Sequence, residues 1–217
     1  MAWSPIVRAL VEILAPSGCA ACDVPVRVPR RGTIPLFCPT CDVAAILDPV
    51  DDPAVLAPYA YGGAVATALH RFKYRERPDL GGRLGAAMGG YAVRRALRAD
   101  LVVPVPLSRA RLVERGYNQA SILAATVARS IESGFAPTAL SRTGEGAVQV
   151  GRRRAERFRN VASLFAVARP ERIAGKDVLL VDDVRTTGAT SEACARVLRA
   201  AGARSVTVLV FARAEER

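Results

Sequence analysis

The most informative stretch of this 217-residue chain runs from Val178 to Thr190 and reads Val-Leu-Leu-Val-Asp-Asp-Val-Arg-Thr-Thr-Gly-Ala-Thr. Its apolar start predicts a buried strand over residues 177–181, and the turn after the acids predicts a helix over 189–201. The N–H groups at a helix start bind phosphate, and Gly188 lets the backbone approach closely. Asp182 and Asp183 repel phosphate but suit a sugar diol or hydrated Mg²⁺. The segment predicts a phosphorylated-sugar site; the alternative is a plain strand and capped helix with solvated acids.

The sequence on both sides of this segment alternates apolar strands with helical stretches. Strands are predicted over 101–105 and 205–211, with weaker candidates over 138–142 and 164–167. Helices are predicted over 80–97, despite five glycines, and from Asn118, as the N-cap, to residue 133, closed by Gly134. Buried strands that alternate with helices indicate an α/β fold with a parallel sheet flanked by helices. No P-loop or Rossmann glycine motif is present in the sequence, which excludes those nucleotide sites.

Composition limits the classes of partner. The net charge of +11 favours anionic ligands, and the apolar share of 51% is enough for a substantial core. The sequence has no apolar run long enough for a spanning helix, so we expect a cytoplasmic protein. Residues 1–16 are predicted to form an N-terminal helix with one apolar stripe. That stripe packs on the body of the protein or contacts a membrane surface or partner, which would place the protein peripherally at the inner face of the membrane.

Two cysteine pairs lie near the N-terminus. Cys19 and Cys22 form one CxxC, Cys38 and Cys41 form another, and 15 residues separate the pairs. This spacing is typical of a closed, structural four-thiolate Zn²⁺ site, with two disulfides as the alternative in a secreted protein. We therefore predict a zinc ribbon over 17–47, an acidic, proline-broken linker after it, and a main domain over 54–217. Cys194, in a predicted helix, is expected to be a packed core residue.

The whole pattern resembles the ComF family, which comprises late-competence-type, amidophosphoribosyltransferase-like proteins with an N-terminal zinc ribbon. The decisive segment is similar to the PRPP-binding motif of type I phosphoribosyltransferases. The cysteine pairs and the motifs HRFKY (70–74), VPVPLSR (103–109), RGYNQ (115–119) and ERFRN (156–160) occur in the ComF order. The resemblance implies a type I phosphoribosyltransferase-like fold and PRPP binding with Mg²⁺ by Asp182, Asp183, Val184, Arg185, Thr186, Thr187, Gly188, Ala189 and Thr190. It also implies a pyrophosphate loop at Leu107, Ser108 and Arg109, for which a structural, proline-bounded turn is the alternative.

The remaining basic residues have two interpretations. Residues 142–172 contain eight arginines and three glutamates, with glycines that permit movement, as in the flexible hood of type I enzymes. The alternative is a nucleic-acid surface with aromatic side chains among the arginines. The residues assigned to this hood or nucleic-acid surface are Lys73, Arg75, Arg115, Arg152, Arg153, Arg154 and Arg157.

Two functions follow from the sequence. The first is binding or transfer of a phosphoribosyl group, a pentosyl transfer that requires no dedicated nucleophile in the protein, so no catalytic residue is assigned. The second is a non-enzymatic competence or DNA-uptake factor of the ComF type, with single-stranded DNA and proteins of the competence machinery as partners.

Overall fold

The computed structural model describes residues 17–27, 34–43, 45, 55–74, 77, 79–143 and 164–214. The predicted N-terminal helix over 1–16 and most of the predicted acidic linker lie outside these ranges. So do Arg75, Arg152, Arg153, Arg154 and Arg157, and the motif at 156–160. The domain limits therefore stay a prediction.

A six-stranded sheet in which every pair is parallel forms the centre of the described fold. Its strands are β1 (Val55–Leu56), β2 (Tyr59–Ala60), β3 (Leu101–Pro104), β4 (Gly134–Phe135), β7 (Asp177–Arg185) and β8 (Ser205–Arg213). The strand order is β1-β8-β7-β3-β4, and β2 also pairs with β8. Two further strands, β5 (Leu140–Arg142) and β6 (Phe165–Val167), form a separate antiparallel pair. The predicted α/β architecture is confirmed.

Helices cover both faces of the sheet. They are α1 (Pro39–Val43), α2 (Gly63–Lys73), α3 (Leu80–Arg94), α4 (Arg109–Arg115), α5 (Gln119–Ser130) and α6 (Ala189–Ala200). Side chains alternate along β7: Leu179 and Val181 pack with α2, α3 and α5, whereas Val178 and Leu180 pack with α6. The buried residues of the cysteine region, including Phe37 and Ala20, belong to the first of these two hydrophobic clusters. Cys194 is fully buried in the second, as predicted.

The glycines of α3 have a packing role that the sequence did not reveal. A Cβ atom at Gly85 would lie 2.7 Å from Cβ of Thr126, and one at Gly89 would lie 2.2 Å from Oγ of Ser130. Both neighbours belong to α5, so the glycine face lets the two helix backbones approach closely. The same residues that weaken α3 as an isolated helix therefore fix its position against α5.

Three predicted element ends differ most from the structure. Strand β7 does not stop before the acids but continues to Arg185, because β8 supplies backbone partners as far as Arg213. Helix α5 ends at Ser130, since Glu132 takes a left-handed φ of 55° and Gly134 enters β4 instead of closing the helix. Helix α3 ends at Arg94, and Ala96 takes a φ of 50°.

Candidate functional site

A cavity lies at the carboxyl edge of the sheet, where β3 ends with Pro104 paired to Val181 of β7. Its volume is 370 Å³. All nine residues from Asp182 to Thr190 line it, together with Leu107 and Ser108 from the segment after β3. Parallel strands bring their following segments to one edge, which explains why residues so distant in sequence share one cavity. The other lining residues are Tyr61, Lys73, Val105, Pro106, Arg111, Arg115, Asn118, Gln119, Ala120, Arg142 and Ser191.

The turn before α6 presents backbone N–H groups to this cavity. Gly188 is the N-cap residue, with a left-handed φ of 73°, and no side chain caps the helix there. The first N–H groups of a helix have no partners within it, and the helix dipole adds positive potential at that end. The hydroxyl of Ser191 donates to the Gly188 carbonyl at 3.0 Å, which holds the turn in place. This end of α6 has the geometry and charge to bind an anion.

The two acids point to opposite faces of the sheet because they are consecutive residues of a strand. Asp183 faces α2, where one of its carboxylate oxygens lies 3.1 Å from Nζ of Lys73. Asp182 accepts a hydrogen bond from the Asp183 backbone N–H at 2.8 Å. Burial, followed by the negative charge of Asp183, raises the pKa of Asp182 to about 8. This environment favours the protonated form of Asp182, whereas a bound cation would favour its ionised form.

Positive charge exceeds negative charge around the cavity. Two of the described lining residues are acidic, Asp182 and Asp183, and five are basic. The basic residues are Lys73, Arg111, Arg115, Arg142 and Arg185. Such a concave surface concentrates anions, so the preferred ligand carries several negative charges.

The HRFKY and RGYNQ motifs form one wall of the cavity. The guanidinium of Arg115 lies over the Tyr74 ring, 5.7 Å from its centroid, and the Tyr117 hydroxyl donates to the Phe72 carbonyl. Arg115 is only 8% exposed, and it donates to Oε1 of Gln119 at 3.1 Å. Lys73 and Arg115, which the sequence assigned to a hood or nucleic-acid surface, thus both lie in this wall, and Lys73 pairs with Asp183.

Two local predictions differ from the structure. Arg109 is exposed at the start of α4 and is not among the cavity residues, whereas Arg111, two positions later, is. Asn118 stands at the N-cap position of α5, but its side chain makes no cap bond and instead donates to the Val105 carbonyl at 3.1 Å. Asn118 therefore joins α5 to the segment after β3.

Four cavity residues were not assigned to any site from the sequence: Tyr61, Arg111, Ala120 and Ser191. Arg142 was counted only within the arginine-rich stretch 142–172. Tyr61 and Arg142 lie outside the motifs that carry the resemblance, and only the folding of the chain brings them to the cavity. Arg111 lies between two of those motifs, and this position in the sequence could have indicated it as a site residue.

The four cysteines of the N-terminal region form a second candidate site. The Sγ atoms of Cys19, Cys22, Cys38 and Cys41 all lie within 4.8 Å of one another, and none of these residues is in a disulfide. A tetrahedral zinc site has Zn–S bonds of about 2.3 Å and hence sulfurs about 3.8 Å apart, and the Cys22 and Cys38 sulfurs are 3.6 Å apart. Burial opposes ionisation of Cys19, but backbone hydrogen bonds, first from Cys22, outweigh it and lower the pKa of Cys19 to about 6. These cysteines could hold a metal ion.

Arginines attach the cysteine region to the helical layer. Arg71, in the last turn of α2, donates to the Ala20 and Ala21 carbonyls at 3.4 and 3.3 Å, within the first CxxC turn. Its guanidinium also pairs with Asp23. Arg83 of α3 donates to the Gly18 carbonyl at 2.6 Å and to the Leu36 carbonyl at 3.0 Å. The cysteine region is therefore held by several charged donors that bond to backbone carbonyls.

Among the described residues, no helix has both the length and the apolar character needed to cross a membrane.

Comparisons with known proteins converge on one family. Residues 84–217 match the family model for the phosphoribosyl transferase domain. The chain is 29% identical over 159 residues to the DNA utilization protein YhgH of Escherichia coli K12, which covers 70% of this chain and 69% of that protein. It is 31% identical over 153 residues to Competence protein F of Haemophilus influenzae, which covers 67% and 66%. Competence protein ComFC of Bacillus subtilis is 28% identical over 159 residues, with 70% and 62% covered.

Solved structures with similar chains include the allosteric regulatory enzyme of purine biosynthesis. It shares 23% identity with this chain at a TM-score of 0.46, and the match covers 64% of this chain and 29% of the other. The glutamine PRPP amidotransferase of Bacillus subtilis, complexed with ADP and GMP, shares 22% identity at a TM-score of 0.46. That match covers 64% of this chain and 30% of the other, so this chain spans less than a third of either enzyme.

Proposed function

The chain belongs to the phosphoribosyl transferase domain family, as a ComF-type member, and from this premise we propose that its cavity binds PRPP together with Mg²⁺. One observation carries the proposal: the uncapped start of α6 and the two acids of β7 line the same cationic cavity. The N–H groups of residues 185–190 would hold the 5-phosphate, and the carboxylates would contact the ribose hydroxyls. Leu107 and Ser108, on the neighbouring strand's segment, would lie on the pyrophosphate side.

Both metal ions fit residues of the chain. Carboxylate oxygens are the ligands that Mg²⁺ prefers, and the raised pKa of Asp182 would return toward its usual value beside a cation. When bound, Mg²⁺ would supply positive charge close to the pyrophosphate oxygens. The sulfur spacing of the cysteine cluster fits Zn²⁺, and a site closed by four thiolates would be structural.

Phosphoribosyl transfer is the reaction that this arrangement supports best. The bond from C1 of the ribose to the pyrophosphate oxygen breaks, and its electron pair leaves with the pyrophosphate. A bond forms between C1 and an acceptor, which releases a proton to solvent or to a neighbouring base. The protein would contribute orientation and positive charge where the leaving group becomes more negative, which Lys73, Arg111 and the loop amides can provide.

The second candidate function is DNA handling in competence. Relatives are named for DNA utilization and for competence, and the net charge of +11 suits a polyanionic partner. In this case the cavity would bind PRPP or a nucleotide as a regulator, while single-stranded DNA and competence proteins bind elsewhere on the surface. A cytoplasmic location, with the N-terminal residues touching the membrane face, accords with either function.

Isothermal titration with PRPP tests the ligand. We expect saturable binding that requires Mg²⁺ and is abolished in the double variant Asp182→Asn, Asp183→Asn. The double variant Glu114→Gln, Glu171→Gln replaces the same number of carboxylates at exposed positions outside the cavity, and it should bind as the wild type does. Equal binding by both double variants would refute the proposed site.

Turnover and DNA binding separate the two functions. Release of pyrophosphate with a panel of bases and amines would establish transfer. Single-stranded DNA affinity that falls steeply between two salt concentrations, without turnover, would establish the second function.

A further inference from the structure

Two consecutive amide side chains in the cavity wall have hydrogen-bonding atoms that are not used within the described part of the protein. Gln119 is 1% exposed, and its Nε2 has no hydrogen-bond partner among the described residues. In the same part of the chain, Oδ1 of Asn118 is likewise buried and without a partner. Both residues line the cavity. Because an unpaired buried donor is unfavourable, a ligand atom is its natural partner.

The orientation of the Gln119 amide is fixed by its neighbour. Arg115 donates to Oε1 of Gln119 at 3.1 Å, and a guanidinium has only donors. Turning the amide over would place Nε2 against another donor, so Oε1 must face Arg115. The Nε2 group, which can donate two hydrogen bonds, is therefore left without a partner among the described residues, on a side chain that lines the cavity.

Arg115 is itself held firmly. It is 8% exposed, and its guanidinium packs on the ring of Tyr74 at the end of α2. Arg115 and Gln119 are four residues apart across the turn between α4 and α5, so the pair connects the two helices. A buried, stacked arginine can hold a neighbouring amide in a single rotamer.

The position of the pair indicates which part of a ligand it meets. Asn118, next to Gln119, bonds the carbonyl of Val105, which begins the segment after β3. The start of α6, proposed above for the 5-phosphate, follows the other strand, β7. Gln119 thus belongs to the β3 side of the cavity, where a second anionic group would lie.

We propose that Nε2 of Gln119 donates a hydrogen bond to a pyrophosphate oxygen of PRPP, and that Arg115 is the positioning residue that directs this donor. The inference rests on the proposed function and identifies a contact for the leaving group. Negative charge increases on the pyrophosphate oxygens as the bond to C1 breaks, so the hydrogen bond strengthens along the reaction. A neutral donor suits this role because it leaves no unpaired buried charge when the cavity is empty.

The variant Gln119→Glu gives the sharpest test. Glutamate has nearly the same size and keeps an oxygen for Arg115, but it presents an acceptor where glutamine presents a donor. We expect the affinity for PRPP with Mg²⁺ to fall by about tenfold or more. The affinity for ribose 5-phosphate, which lacks the pyrophosphate, should not change. Thermal unfolding would show that the variant is folded.

A second pair of variants tests the positioning role. Arg115→Met removes the group that orients the amide and also one cavity cation, so PRPP affinity should fall by a larger factor than ribose 5-phosphate affinity. Arg115→Lys retains a donor for Oε1 and should restore part of the PRPP affinity. If Arg115 had a purely structural role, its replacement would lower the affinities for both ligands by the same factor.

The outcomes are distinct. Wild-type PRPP affinity in Gln119→Glu overturns the contact, and an equal loss for both ligands overturns its assignment to pyrophosphate. A wild-type protein that binds neither ligand overturns the proposed function itself.

Discussion

Lys73 and Asp183 form an ion pair, with Nζ 3.1 Å from Oδ2, between the last turn of α2 and the strand that carries the acids. Arg71, in the same turn of α2, bonds the carbonyls within the first CxxC pair. One helix end therefore contacts both the cysteine region and the cavity. The ion pair also occupies a carboxylate that a ligand or metal ion would use.

Replacing Lys73 should have opposite effects on two ligands. In Lys73→Met, Asp183 loses its partner, so Mg²⁺ alone should bind more tightly. PRPP should bind about tenfold more weakly at low salt, since one cation is lost from the cavity, and the difference should shrink as salt screens it. Isothermal titration of each ligand measures both effects. Lys176→Met, at an exposed position outside the cavity, is the control, and matching behaviour of the two variants would contradict the expectation.

The pH dependence of binding should report on Asp182. Its pKa is raised to about 8, while Mg²⁺ and ribose hydroxyls need the ionised carboxylate. We therefore expect Mg²⁺-dependent PRPP affinity to rise with pH up to about 8, beyond the change due to titration of the ligand's phosphates, with proton release on binding. Titrations in buffers of different ionisation enthalpy measure the released protons. In Asp182→Asn this part of the pH dependence of PRPP affinity should be absent. If it remains, another group is responsible for the titration.

The free energy of unfolding should decrease as pH rises, whereas PRPP affinity should increase. The pKa of Asp182 is higher in the folded state than in the unfolded chain, so the folded protein holds a proton more tightly. The stabilisation that this bound proton gives the folded state is fully present below about pH 4, the pKa of the carboxyl group in the unfolded chain. That contribution is lost as pH rises toward the folded value of about 8. Urea unfolding between these pH values should show a free energy of unfolding that decreases as pH rises. The decrease should be smaller in Asp182→Asn.

Two glycines with the same backbone conformation should differ in function. Gly188 and Gly175 have φ values of 73° and 70°, so an alanine at either position carries similar strain, about 1–2 kcal/mol. A Cβ at Gly188 would lie 2.5 Å from Nε of Arg185, whereas one at Gly175 would meet nothing within 4 Å. Both variants should lose similar stability, but only Gly188→Ala should lose PRPP affinity, because the Arg185 guanidinium must move. Unchanged binding by Gly188→Ala would argue against Arg185 as a ligand contact.

Substitutions on the two sides of α3 should change stability with opposite signs. Gly85→Ala places a Cβ 2.7 Å from Cβ of Thr126, and overpacking of this kind costs about 1–3 kcal/mol. Gly82, in the same helix, has nothing within 4 Å of its would-be Cβ, so Gly82→Ala should stabilise the helix by about 0.5–1 kcal/mol. Denaturant unfolding measures both. Equal effects would mean that α3 and α5 are not packed as closely as described.

The metal assignment can be tested by composition. Cys38→Ser should purify without the one equivalent of zinc expected in the reduced wild type, because the remaining thiolates leave the tetrahedron incomplete. Cys194→Ser, at a buried position outside the cluster, should retain it. Elemental analysis of freshly reduced protein gives the answer, and a metal-free wild type would eliminate the site.

Sequence patterns alone predicted the parallel α/β fold and the buried Cys194. The family resemblance implied that residues 107 and 108 belong to one site with residues 182–190, and these residues line one cavity. Local periodicity specifies strands and helices, and parallel strands necessarily place their following segments at one edge. The clustering of the four cysteines also followed from their spacing alone.

Contacts between segments distant in sequence fixed the remaining features of the site. Pairing with β8 extended β7 through the acids and so turned Asp182 and Asp183 to opposite faces. Packing of α2 against the sheet brought Lys73 to Asp183, and the fold placed the buried Arg115 over the Tyr74 ring. Backbone hydrogen bonding, burial and charge pairing between separate elements have no local sequence signature. For that reason the residue types of the site could be predicted from the sequence, while their orientation, ionisation and partners could not.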